Sequence, residues 1–189
     1  MSYTLDFSKT IVLDRDGVIN LDSNQYVKSH EEWIPLPGSL EAIASLHRAG
    51  YRIIVATNQS GLARKLFDEI ALANIHHKLC SMVEDSGGFI AGIFYCPHLP
   101  ESNCNCRKPR TGLLQQIEEE FDISLKCCPF VGDSLKDLQA AQAFEMKPVL
   151  VRTGNGTVTE KSLGEEQLTD TSVFNDLYAF AQDFLRREK

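Results

Sequence analysis

The stretch Thr10-Ile-Val-Leu-Asp-Arg-Asp-Gly-Val-Ile-Asn20 decides the fold. Ile11 to Leu13 is a short apolar run that stops at Asp14 and Asp16, with Gly17 directly after them. A strand buried on both faces reads as such an unbroken run, and open α/β sheets gather their chemistry at the carboxyl ends of such strands. Side chains at i and i+2 of a strand share a side, so Asp14 and Asp16 start out pointing together. Two carboxylates so placed repel unless a cation stands between them or one keeps a proton. The competing reading is a surface turn, for which Asp and Gly are ordinary residues; this stretch alone does not separate the two.

The flanking sequence favours the strand. After it comes a polar stretch, Asn20 to Pro37, too long for a simple connection and therefore a candidate functional loop. Ser39 is expected to cap a helix with Leu40, Ile43 and Leu46 on its apolar face, ending at Gly50. Arg52 to Ala56 reads as a second strand, running into Thr57-Asn-Gln-Ser-Gly61, a small polar loop of the kind that cradles an anion. A less regular helix follows, through Ile70, Ala73, Ile75, His77 and Val83. Phe89 to Tyr95 is expected as a third strand and leads into a cysteine-rich loop, Cys96 to Cys106. Leu113, Leu114, Ile117 and Phe121 mark the next helix. Cys128 to Val131 reads as a fourth strand ending in Gly132-Asp133-Ser134, and Leu135, Leu138, Ala141 and Phe144 as a helix. Val149 to Val151 reads as a fifth strand, Gly154 to Thr171 as a surface loop, and Val173, Leu177, Phe180 and Phe184 as a closing amphipathic helix. Strands alternating with helices predict an α/β fold: a Rossmann-like, mostly parallel sheet covered by helices on both faces. No repeat or linker divides residues 1–189, so one domain is expected.

The chain has 189 residues, 43% of them hydrophobic and 24% charged, which suits a globular protein with a core of its own. A formal charge of −7 argues against nucleic acid or an anionic membrane as partner, yet leaves room for a phosphorylated small molecule held in a local basic pocket. The opening residues show no basic region followed by an apolar stretch, and no run approaches the length of a membrane span. A cytoplasmic monomer is expected, with its six cysteines reduced and to be judged as ligands or packing residues.

In a parallel sheet the carboxyl ends of all strands lie along one edge. The first delivers Asp14 and Asp16, the second Thr57 and Asn58, the loop after the third Arg107 and Lys108, and the fourth Asp133. Acids, hydroxyl and amide donors and cations together are what phosphoryl transfer requires: a carboxylate nucleophile, fixed donors for the phosphate oxygens, and a divalent cation to share their charge. Asp14 and Asp133 with backbone and water oxygens suit Mg²⁺. Taken singly, Lys108 reads as a solvated lysine, Thr57 as a cap and Asp133 as a turn residue; their order at successive strand ends is what carries the reading.

Cys96-Pro-His98 and Cys104-Asn-Cys106 offer three thiols and an imidazole within eleven residues, a set that would enclose a structural Zn²⁺. The competing reading is free thiols beside a surface histidine. Placement favours the metal, because the loop runs straight into Arg107-Lys108-Pro109 and has no core of its own. Cys80, Cys127 and Cys128 lie outside the set and are expected to pack.

Asp14-Arg-Asp16-Gly17, Thr57-Asn58, Lys108 and Gly132-Asp133 resemble, in order, the four motifs of the haloacid dehalogenase-like phosphatases, over nearly the whole chain. The resemblance implies that Asp14 is the nucleophile and Asp16 the general acid and base. It also implies that Thr57, Asn58, Gln59 and Lys108 bind substrate, and that Asp14, Asp133 and the backbone carbonyl of Asp16 hold Mg²⁺. The zinc loop narrows the likeness to members without a separate cap domain: the D-glycero-D-manno-heptose-1,7-bisphosphate 7-phosphatases and the histidinol-phosphate phosphatases. Tyr26-Val-Lys-Ser, Glu32-Trp33 and Val149-Leu-Val-Arg-Thr-Gly154 resemble the heptose branch. That branch implies hydrolysis of the 7-phosphate of the bisphosphate in ADP-heptose and lipopolysaccharide core synthesis, with Arg107 at the second phosphate or the sugar hydroxyls. Two positions depart from the pattern: Lys65, where Gly is usual, and Ser134, where some members carry Lys. A zinc-stabilised module without catalysis and a polynucleotide 3′-phosphatase are the remaining alternatives.

Overall fold

The computed structural model describes residues 9–164 and 170–187. Six strands alternate with the helices: β1 (Thr10–Leu13), α1 (Ser39–Arg48), β2 (Arg52–Asn58), α2 (Glu69–Asp85), β3 (Gly92–Cys96), α3 (Gly112–Phe121), β4 (Pro129–Gly132), α4 (Leu135–Ala143), β5 (Lys147–Val151), α5 (Gly156–Ser162), β6 (Ser172–Phe174) and α6 (Leu177–Arg187). All pairings are parallel and the strand order is β3-β2-β1-β4-β5-β6. The order reverses between β1 and β4, so a crevice opens at their carboxyl ends, where Asp14 and Asp133 follow.

The central runs of β1, β2, β4 and β5 are apolar because both faces of the sheet are covered there. Ile11, Leu13, Ile53 and Val55 point into one core layer with Leu46 of α1, Ile75 and Leu79 of α2 and Phe180 of α6. Val12, Ile54, Ala56 and Phe130 point into the other, against Leu113, Leu114 and Ile117 of α3 and Ala140 and Ala141 of α4. On the first face Phe174, Phe180, Phe184 and Tyr51 form a run of ring contacts with centroids 5.1–5.5 Å apart.

Several expectations are corrected. Ser39 is the first helical residue rather than the cap: Gly38 takes the cap position with φ +78°, and the Ser39 hydroxyl donates to the carbonyls of Ile19 and Leu36, tying α1 to the loop after β1. On α2 the buried face is Leu72, Ile75, Leu79 and Val83, while Ile70, Ala73 and His77 are exposed. β3 begins at Gly92, not Phe89. Residues 156–162 form a helix inside the span read as a loop; residues 165–169 of that span, like residues 1–8, lie outside the described residues. Val173 belongs to β6, a strand too short to show an alternating pattern, and not to the closing helix. Cys128 is buried and Cys80 half-buried, but Cys127 is exposed.

The polar stretch after β1 is clamped: Leu21 N–H donates to Ile34 O, Leu36 N–H to Ile19 O, and Lys78 Nζ to the carbonyls of His30 and Trp33, whose ring is wholly buried. It and the loops 59–68 and 97–111 are the only long insertions among the described residues above the strand ends, and no separate cap domain stands there.

Candidate active site

The strand ends converge on a cleft of about 210 Å³ that Asp14, Asp16, Thr57, Asn58, Arg107, Lys108 and Asp133 all line, with Asp22, Tyr26 and Asn155 at its walls. At its base lies Lys108, 2% exposed. Its ammonium is 2.9 Å from Asp14 Oδ1 and 2.6 Å from Asp137 Oδ1, and donates to Ala56 O at 2.7 Å. Burial alone would lower its pKa, but the Asp137 and Asp14 carboxylates outweigh that and hold it above the ordinary value. Asp14 Oδ1 also accepts the Arg15 N–H at 2.7 Å. Burial, partly offset by Lys108 and reinforced by Asp137, Asp133 and Asp16, pushes Asp14 up to about 8. Asp133 is pushed up to about 7, again chiefly by burial, against the Asn155 N–H that donates to its Oδ2 at 2.7 Å.

Asp14, Asp133 and Asp137 bring carboxylate oxygens within 4.8 Å of one another. Three carboxylates against one ammonium leave two negative charges in a buried space, and that burial, reinforced by the neighbouring acids, raises Asp14 and Asp133. A hard divalent cation fits this donor set. Asp137 is the residue the sequence reading missed. Ser134 and Asp137 form a reciprocal capping box, Ser134 donating through its N–H and hydroxyl to Asp137 Oδ2 at 3.1 and 2.6 Å. The Ser-x-x-Asp spacing after Gly132-Asp133 was the available signal.

Asp16 lines the same cleft but is held by a different set of partners. Arg15, 1% exposed, forks onto it with Nη2 at 3.0 and 2.9 Å from Oδ1 and Oδ2, while Asn20 Nδ2 and Gln59 Nε2 add bonds of 2.9 and 2.8 Å. Burial works upward on Asp16, but Arg15 and these two amides prevail and hold its carboxyl below the usual range. Arg15 Nη1 also lies 3.2 Å from His76 Nε2. A guanidinium only donates, so Nε2 accepts; burial and the Arg15 charge push His76 down to about 3, which keeps the ring neutral. Nothing in the spacing of Arg15 and His76 announces this contact.

Two residues expected on the substrate serve the frame as well. Asn58 clasps the Lys108 backbone, Oδ1 accepting its N–H at 3.1 Å and Nδ2 donating to its carbonyl at 3.2 Å. Gln59 spends its amide on Asp16 and on Thr57 Oγ1. Thr57 keeps its hydroxyl hydrogen for another acceptor. Arg107, half-buried, makes one long bond of 3.3 Å to His98 O and lines the cleft.

Cys96, His98, Cys104 and Cys106 do come together. Cys96 Sγ lies 3.7 Å from His98 Nδ1, 3.6 Å from Cys104 Sγ and 3.3 Å from Cys106 Sγ, and His98 Nδ1 is 3.2 Å from Cys106 Sγ. Four ligands about 2.3 Å from a tetrahedral centre stand about 3.8 Å apart, so this slightly tight tetrahedron fits Zn²⁺.

Residues 105–180 match the HAD-hydrolase-like family model. The chain is 48% identical to the D-glycero-β-D-manno-heptose-1,7-bisphosphate 7-phosphatase of Pseudomonas aeruginosa over 93% of its length and 97% of the relative's. It is 49% identical to the enzyme of that name from Bordetella bronchiseptica, over 94% of this chain and 98% of that one. The chain belongs to the D-glycero-β-D-manno-heptose-1,7-bisphosphate 7-phosphatase family. The crystal structure of the B. bronchiseptica phosphatase complexed with magnesium and phosphate superposes with a TM-score of 0.89, covering 95% of this chain and 99% of that one. The Burkholderia thailandensis member, 45% identical, gives 0.72 over 94% of this chain and 98% of that one. Within this family fold, Lys65 has φ +57°, in the left-handed region where glycine is at ease.

Proposed function

We propose that the chain hydrolyses the 7-phosphate of D-glycero-β-D-manno-heptose 1,7-bisphosphate through a phosphoryl group carried on Asp14. The activity, and its place in ADP-heptose and lipopolysaccharide core synthesis, rest on the family. The observation that carries the mechanism is Lys108 Nζ held 2.9 Å from Asp14 Oδ1 at the base of the cleft, with Asp133 beside it. Bound Mg²⁺, held by Asp14, Asp133 and the Asp16 carbonyl, supplies positive charge for the phosphate oxygens and keeps Asp14 ionised. Lys108 and the Thr57 hydroxyl bind the remaining oxygens. An Asp14 oxygen forms the new bond to phosphorus as the bond to the sugar C7 oxygen breaks. Asp16 protonates that departing oxygen, then takes a proton from the water that attacks phosphorus and frees Asp14. Asp16 rests here as a carboxylate surrounded by donors. To act as the acid it must gain a proton and release part of the Arg15 fork.

Arg107, presented by the zinc loop, faces the sugar or its second phosphate. We further propose a cytoplasmic monomer, as expected for an enzyme acting on a small phosphorylated sugar. Among the described residues no helix is long and apolar enough to cross a membrane. A substrate panel of both heptose bisphosphate anomers and histidinol phosphate, read by kcat/KM, tests the assignment. The β-bisphosphate is expected to lead, and a preference for histidinol phosphate would overturn it.

A further inference from the structure

Arg15 is a buried cation that does not itself line the cleft. Its Nε and Nη2 donate three bonds of 2.9–3.2 Å to the two oxygens of Asp16. Its Nη1 donates to His76 Nε2 at 3.2 Å, and among the described residues no other side chain shares the guanidinium. With Nε2 accepting, the neutral ring carries its hydrogen on Nδ1. His76 stands on α2, which is seated in the core through Ile75 and Leu79 on either side of it. The bond therefore ties the loop after β1 to a helix with little freedom to shift.

One planar group is thus held at two ends, by the acid and by the core. The guanidinium is a rigid fork, so pinning Nη1 sets the plane in which Nε and Nη2 meet Asp16. Catalysis asks Asp16 to present an oxygen to the departing sugar oxygen, and that releases part of the fork. Arg15 is cut off from solvent, and an N–H orphaned in such a place is costly. His76 is an acceptor that stays in place when Asp16 lets go.

We propose that His76 is a positioning residue for the general acid, holding Arg15 in the orientation that presents Asp16 to the leaving-group oxygen. This rests on the reading of Asp16 as the acid above and adds α2 to the machinery. A histidine that only packed, against the Tyr95 ring with centroids 5.8 Å apart, would serve every substrate alike.

The test uses two substrates that differ in their need for an acid. The sugar oxygen of heptose 1,7-bisphosphate leaves as an alkoxide unless it is protonated, whereas p-nitrophenyl phosphate releases a stable phenolate that needs no acid. Their kcat/KM values report the steps up to departure of the leaving group, which is where the acid works. His76→Leu keeps the bulk and removes the acceptor. Its kcat/KM for the bisphosphate falls about tenfold, mainly through kcat, while that for p-nitrophenyl phosphate stays within about twofold. His76→Gln, whose Oε1 can accept the same bond, restores most of the loss. An equal fall for both substrates, no fall, or no rescue by Gln overturns the assignment to His76. Asp16→Asn is measured alongside: a ratio of the two kcat/KM values that stays at the wild-type level there overturns Asp16 as the acid, and the role of His76 with it.

Discussion

Asp137 Oδ1 stands 2.6 Å from Lys108 Nζ, and both side chains are cut off from solvent. The ammonium is thereby shared between Asp137 and Asp14, and the carboxylate that does no chemistry fixes where the lysine points. Asp137→Asn keeps the shape and removes the charge. It is expected to lower kcat/KM about 10- to 100-fold, as loss of a group orienting a site residue does, and to cost about 1–3 kcal/mol of stability. Steady-state kinetics with urea unfolding check both; wild-type kcat/KM in this variant would remove the orienting role.

Asp14→Asn is expected to reduce turnover about 10⁴-fold or more while the fold persists, because Asp137 still holds Lys108. Phosphate release and circular dichroism give the answer. Turnover at the wild-type level would refute the nucleophile assignment.

Protons compete with Mg²⁺ for this site. Asp133 and Asp14, pushed up to about 7 and about 8, are largely protonated at pH 6 in the metal-free protein, whereas at pH 8 Asp133 has lost most of its proton and Asp14 is about half ionised. Both folded values lie above the unfolded one, so the metal-free folded state binds more protons than the unfolded state between pH 4 and 8, and these two groups make stability fall as pH rises through that window. Saturating Mg²⁺ removes the penalty. The rise in Tm on adding Mg²⁺ is therefore larger at pH 8 than at pH 6, which differential scanning fluorimetry at the two values measures.

Zinc removal acts at a distance. The loop from Cys96 to Cys106 leads into Arg107 and Lys108, and it packs little apolar surface of its own. Cys104→Ser is expected to lose the bound zinc, measured as metal per chain by mass spectrometry, and to raise KM more than it lowers kcat as Arg107 loses its support. Full zinc content in this variant would exclude Cys104 from the ligand set.

Much of this architecture was legible in the residues, and the exceptions have physical causes. The aliphatic runs at Ile11–Leu13 and Ile53–Val55 announce strands buried on both faces, and the acids and donors just after them announce the cleft. β6 was illegible because three residues cannot show a period, so Val173 joined the helix that follows. Ile70 misled on α2 because an exposed apolar residue sits one position from the helix start, and the true stripe begins at Leu72. The site's contents were read from strand ends, but its internal wiring was not. That Asn58 holds the Lys108 backbone across fifty positions, or that His76 receives Arg15, depends on how loops meet in space.

Gly17 and Gly154, with φ of +79° and +55°, meet behind Asp133, and a Cβ on either would collide with Asp133 Oδ2. The backbones after β1 and β5 touch with nothing between them. Neither position can drift to another amino acid without displacing a carboxylate assigned to the metal, however freely the surrounding loops vary. In a library randomised across the whole gene, functional survivors would therefore be monomorphic at these two codons, a paired bottleneck set by one carboxylate and two facing backbones.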